Sequence, residues 1–88
     1  MIRKEVKVIN HLGVHARPSA MLVQTATRFN SEVQLHKGDL RVNAKSIMGV
    51  MMLAAEMGST IVITASGEDE AEAVKALAQL FADKFNEE

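Results

Sequence analysis

The chain has 88 residues, with 10 Lys and Arg against 11 Asp and Glu, a formal net charge of −1, and no cysteine, tryptophan or tyrosine. Without cysteine there is neither a disulfide framework nor a thiolate metal site, and without a basic excess or stacking aromatics beyond Phe29, Phe81 and Phe85 there is little to hold a nucleic acid. The length suits one domain over residues 1–88, at a size that buries only about 60% of its unfolded surface.

The N-terminal MIRKEVKVIN alternates charged and apolar residues and lacks the apolar core of a signal peptide. The longest apolar stretch, Ile47 to Ala55 with Gly49 inside it, is well short of the roughly 20 residues that cross a bilayer. A soluble cytoplasmic protein with no direct membrane insertion is expected. In chain order, Val6 and Val8 alternate with Glu5 and Lys7, so Ile2 to Ile9 reads as a half-buried strand. A glycine-containing loop, Asn10 to His15, follows. From Pro18 the period changes, with Pro18, Leu22, Ala26 and Phe29 forming one stripe of an amphipathic helix. Val33 and Leu35, then Leu40 and Val42, alternate with polar residues on either side of Gly38-Asp39, the pattern of a β-hairpin.

Ser46 stands where it can cap a short helix over Ile47 to Leu53, with Gly58 as its stop. Thr60 to Ser66 is β-branched and apolar, a central strand. Asp69 with Glu72 resembles a capping box that opens a long closing helix marked by Val74, Leu77, Ala78, Phe81 and Phe85. The order β-α-β-β-α-β-α makes a two-layer α+β domain. The local pattern equally suits a ferredoxin-like fold with an extra helix and leaves strand order open.

Chemistry concentrates in GVHARPSA, residues 13–20. Pro18 fits the first turn of a helix, where unpaired N–H groups and the positive end of the helix dipole gather. His15 and Arg17 therefore stand at the mouth of a helix whose first residues, Pro18, Ser19 and Ala20, form an anion-stabilising start. Neutral imidazole is a nucleophile that can carry a phosphoryl group on nitrogen, and positive charge nearby favours the neutral form. Once phosphorylated, the ring would bear an anion for the same donors to hold. Taken alone, a histidine before a helix is more often just a surface residue, here beside a solvated arginine.

G-V-H-A-R-P at 13–18, N-A-K-S-I-M-G-V-M at 43–51 and A-S-G-E-D-E at 65–70 resemble, in order and spacing, the active-site signature, the regulatory-serine segment and the lead-in to the last helix of the HPr family. These are the histidine-containing phosphocarriers of the bacterial phosphoenolpyruvate-dependent sugar phosphotransferase system, and the likeness spans essentially the whole chain. It implies an open-faced β-sandwich, a four-stranded antiparallel sheet covered on one face by three helices. It also implies that His15 is phosphorylated on Nδ1 with Arg17 assisting, by enzyme I, and that enzyme IIA domains receive the group. Such a protein is a covalent carrier rather than an enzyme. Leu12 stands where many family members have a small polar residue, and the N-x-L-G stretch before the histidine also occurs in the nitrogen-regulatory branch. A regulatory carrier not coupled to sugar transport is therefore the alternative.

Ser46 is an N-cap by its own chemistry. Its setting resembles family members phosphorylated by HPr kinase/phosphorylase, which implies that kinase and a catabolite-control regulator as further partners. Met48, Met51 and Met52 lie close together on a short helix and cannot all face one core, though one or two are expected there. Methionine adapts to several partners, so Ile47, Met48 and Met51, with Ala20, are the candidate docking surface. A small carrier presenting one face to successive partners is expected to be a monomer. His11 and His36 carry no assignable chemistry: Gly13 and the loop around it spoil the geometry of a His11–His15 metal pair. No metal and no cofactor is assigned. Two rivals of other classes remain, a regulatory module acting through Ser46 and the Ile47–Met51 surface, and an unrelated domain binding an anion reversibly.

Overall fold

The computed structural model describes residues 1–87. Its elements are β1 (Ile2–Lys7), α1 (Ala16–Ala26), β2 (Glu32–Lys37), β3 (Leu40–Asn43), α2 (Ile47–Met52), β4 (Thr60–Ser66) and α3 (Glu70–Ala82). The four strands form one antiparallel sheet in the order β1-β4-β2-β3, so β4 is central, as its β-branched sequence predicts. Strand alternation sends Val33 and Leu35 of β2, Val42 of β3, and Ile61, Ile63 and Ala65 of β4 into the core. They meet Leu22 and Ala26 of α1, Val50 of α2, and Ala73, Val74, Leu77 and Phe81 of α3. The other sheet face is mostly polar, with rows such as Arg3–Thr64–Gln34–Asn43. There His36 Nε2 lies 3.1 Å from Thr64 Oγ1. Burial, then Arg41 and Arg3, lower the His36 pKa. This is an open-faced α+β sandwich, with three helices on one side of the sheet.

Several boundaries differ from the sequence-based expectation. β1 ends at Lys7 rather than Ile9, although Val8 still exchanges bonds with the turn before β4, its N–H with Ser59 O at 2.9 Å and its carbonyl with Gly58 N at 2.8 Å. α1 begins at Ala16, two residues before Pro18. Proline is accommodated because none of the first three helical residues has an intrahelical acceptor for its N–H. α2 ends at Met52, well before Gly58, with Ala54 turning the chain at φ +47°.

The capping box does not form. Asp69 precedes α3 but makes no side-chain cap. Its carboxylate accepts instead from Asn30 N, Ser31 N and the Ser31 hydroxyl, tying α3 to the α1–β2 connection. Glu70 accepts from Gly67 N at 3.0 Å. Nor does α3 extend to Phe85. It stops at Ala82, and Lys84, Phe85 and Asn86 follow with φ between +54° and +62°. Three consecutive non-glycine residues in the left-handed region are strained, by about 1–2 kcal/mol each. Burial of Phe85 edge-to-face on Phe81, with ring centroids 5.0 Å apart, opposes that strain.

Candidate functional site: a histidine at a helix mouth

The loop from Asn10 to Val14 is held from within and from outside. Asn10 is fully buried, and its side-chain amide donates to Gly13 O at 2.8 Å. Gly13 sits at φ +68° where an added Cβ would run into the Ala55–Glu56 backbone, and Val14 N donates to Ala55 O at 2.8 Å. These contacts deliver His15 to the N-cap of α1 in extended conformation. The first helical hydrogen bond is Ser19 N to His15 O, 2.9 Å, so the N–H groups of His15, Ala16 and Arg17 have no intrahelical acceptor.

This relocates the expected anion-stabilising start. Pro18 has no N–H, Ser19 has already used its own, and Ala20 lies within the helical ladder. Pro18 and Ser19 are buried, and the Ser19 hydroxyl finds no partner among the described residues. Among the described residues the open donors lie one turn earlier, at residues 15–17.

The His15 side chain is 37% exposed. Its Nε2 lies 2.8 Å from Glu87 Oε2, while Nδ1 makes no hydrogen bond among the described residues. Glu87 Oε1 accepts from the Asn10 amide at 3.0 Å. Arg17 Nη1 donates to Phe85 O at 3.3 Å and lies 3.8 Å from Glu87 Oε2. The Asn10 amide, then His15 and Arg17, hold the Glu87 carboxyl below its ordinary pKa. Neither Asn10 nor Glu87 was legible as a site residue. They meet across 77 positions of sequence, and the only local signal was a polar asparagine entering a glycine loop.

Ser46 caps α2, its hydroxyl accepting from Gly49 N at 3.1 Å. Of the α2 residues only Val50 is buried, so Met48, Met51 and Met52 are all exposed, contrary to the expectation that one or two would enter the core. The helix is too short to present more than one residue inward. Ile47 is also exposed, Ala20 is half-buried, and Leu12, beside the histidine, is 72% exposed. Helix α2 packs against α1, so an apolar surface lies on the helix neighbouring the one that carries His15.

A sequence profile described as "PTS HPr component phosphorylation site" matches residues 2–83. Phosphocarrier protein HPr of Treponema pallidum is 51% identical over 88 residues, covering all of both chains. A crystal structure of HPr from Thermoanaerobacter tengcongensis superposes with a TM-score of 0.96 at 45% identity, covering 100% of this chain and 99% of that one. A structure described as an HPr dimer from the same organism matches at 0.80, with 45% identity and 99% and 100% coverage. With profile, full-length identity and fold in agreement, the chain belongs to the HPr family of phosphocarrier proteins of the phosphotransferase system.

Proposed function

We propose that the protein shuttles a phosphoryl group on His15, taking it from phospho-enzyme I and passing it to enzyme IIA domains for sugar uptake in the cytoplasm. The observation that carries this reading is a half-exposed imidazole at the N-cap of α1, its Nδ1 without a hydrogen bond among the described residues and Arg17 two residues away. In the transfer, the Nδ1 lone pair attacks phosphorus and a new P–N bond forms at His15. The donor's P–N bond breaks, and its electron pair returns to the donor nitrogen. The N–H groups of residues 15–17 and the Arg17 guanidinium then face the phosphoryl oxygens. Charge-assisted bonds of this kind are worth about 1.5–3 kcal/mol each. Arg17 spends one donor on Phe85 O, and a guanidinium has five.

Donation to enzyme IIA is the same step reversed in role. Ile47, Met48 and Met51, with Ala20, serve as the adaptable docking surface. Ser46 is the regulatory position, modified by HPr kinase/phosphorylase and then read by a catabolite-control regulator. A phosphate there adds about −1.5 to −2 charge at the edge of the docking surface, and slows transfer from enzyme I by repelling an acidic partner.

The deciding experiment is labelling with phosphoenolpyruvate and enzyme I. Acid-labile, base-stable phosphate on the parent and none on His15→Ala is the expected result. No label on the parent, with the enzyme I competent toward another carrier, overturns the function.

A further inference from the structure

Resting on the phosphocarrier function proposed above, we infer that Glu87 is the positioning residue of His15: its carboxylate holds the proton on Nε2, presents Nδ1 as the lone-pair nitrogen, and balances the charge the ring acquires on phosphorylation.

The geometry is specific. A carboxylate accepts only, so the 2.8 Å contact between His15 Nε2 and Glu87 Oε2 requires the hydrogen to be on Nε2. In a neutral ring that leaves Nδ1 unprotonated. When Nδ1 forms its bond to phosphorus, the ring becomes an imidazolium that keeps its Nε2 proton, and no proton has to move. The positive charge develops 2.8 Å from a carboxylate that is only 16% exposed, and a histidine's regiochemistry is set by the bond its other nitrogen makes.

The rest of the site is built to hold Glu87 in place. The buried Asn10 amide divides its two hydrogens between Gly13 O, which shapes the His15 loop, and Glu87 Oε1. Its own Oδ1 is left buried without a partner among the described residues. A buried amide with an unsatisfied acceptor costs stability, so its two donor contacts, both on the site, are what it contributes. The left-handed turn Lys84–Asn86 folds the chain back after α3, and Phe85 anchors it, placing Glu87 against the ring. Arg17 is more distant from the carboxylate, at 3.8 Å, so His15 is its closer partner.

The test compares the parent with Glu87→Gln and Glu87→Ala in two measurements. Nitrogen-15 spectra of the His15 ring at alkaline pH report the tautomer. The parent should show the Nε2–H form alone, and Glu87→Ala a mixture with the Nδ1–H form. Glu87→Gln keeps a neutral acceptor and should fall between them. Phosphorylation by phosphoenolpyruvate and enzyme I should lose roughly fivefold in kcat for Glu87→Ala, the size a half-exposed charge pair supplies, with KM unchanged because the docking residues are intact. The proposal is overturned if either the tautomer or kcat of Glu87→Ala stays at the parent value. A rise in kcat also overturns it, since that would make the carboxylate a competitor for the phosphoryl site. Failure here is distinct from failure of the phosphocarrier function: in the first case the parent and both variants still become labelled at His15, and in the second the parent does not.

Discussion

Replacing Gly13 by alanine tests how the fold holds the loop that leads into His15. At φ +68° a side chain costs about 1–2 kcal/mol relative to glycine. The new Cβ would also lie 2.5 Å from Ala55 O and 2.9 Å from Glu56 Cα. Both are backbone atoms, so no side-chain rotation relieves the clash. The loop must move away, and the first bond to stretch is Val14 N to Ala55 O, now 2.8 Å, worth about 0.5–1.5 kcal/mol. Together these give about 1.5–3.5 kcal/mol. At about 4–8 °C per kcal/mol for a domain of this size, Gly13→Ala should lower Tm by about 6–28 °C. Gly38→Ala is the control. Gly38 has φ +58° in the β2–β3 turn, but a Cβ added there would meet nothing within 4 Å, so only the conformational cost applies. Thermal and urea unfolding of both variants separates the terms. If Gly13→Ala costs no more than Gly38→Ala, the close approach to residues 55–56 does not hold the loop.

Three further variants probe the Ser46 cap and the Asp69 latch. Ser46→Ala removes the bond from Gly49 N and should cost about 1 kcal/mol. Ser46→Asp should retain most of that stability, because aspartate also caps, yet slow phosphorylation by enzyme I; thermal melts alongside transfer rates distinguish the two effects. The Ser31 hydroxyl, then the Asn30 N–H, hold the Asp69 carboxyl below its ordinary value of 3.8. A depressed carboxylate contributes stability that is present above the unfolded pKa and is lost as pH falls through the folded one. The urea midpoint of Asp69→Asn should therefore lie below that of the parent at neutral pH, and the gap should close on acidification below 3.8. A gap independent of pH would refute the role given to the ionised carboxylate.

The legible parts of this fold are those in which a local pattern and a tertiary demand coincide. Thr60–Ser66 is central because a β-branched, largely apolar run has few other places to lie. The Gly38-Asp39 hairpin and the Ser46 cap are short-range chemistry and appear as their residues imply. Asp69 shows where such reasoning fails. Its spacing to Glu72 suits a cap, but two backbone N–H groups and a hydroxyl of residues 30 and 31 lie within reach and claim the carboxylate. That competition is invisible without the fold.

The end of the chain fails for a different reason. Leu77, Phe81 and Phe85 recur every fourth residue, which is the signature of a continuing helix. The core requires only that Phe85 be buried, and a left-handed turn satisfies that demand along another path. The difference matters to the site. A continued helix would carry residues 86 and 87 onward along its own axis, whereas the turn brings Phe85 O to Arg17 and the Glu87 carboxylate to His15. In the proposed function, residues 15–18 supply the nucleophile and its anion cradle from adjacent positions, while the carboxylate that touches the ring is carried by a strained turn about 70 residues away, anchored by one phenylalanine. Strain held by packing at a functional site is a recurrent arrangement. With Glu87 in the positioning role proposed for it, this arrangement accounts for the three non-glycine residues at positive φ directly ahead of the carboxylate that touches the histidine.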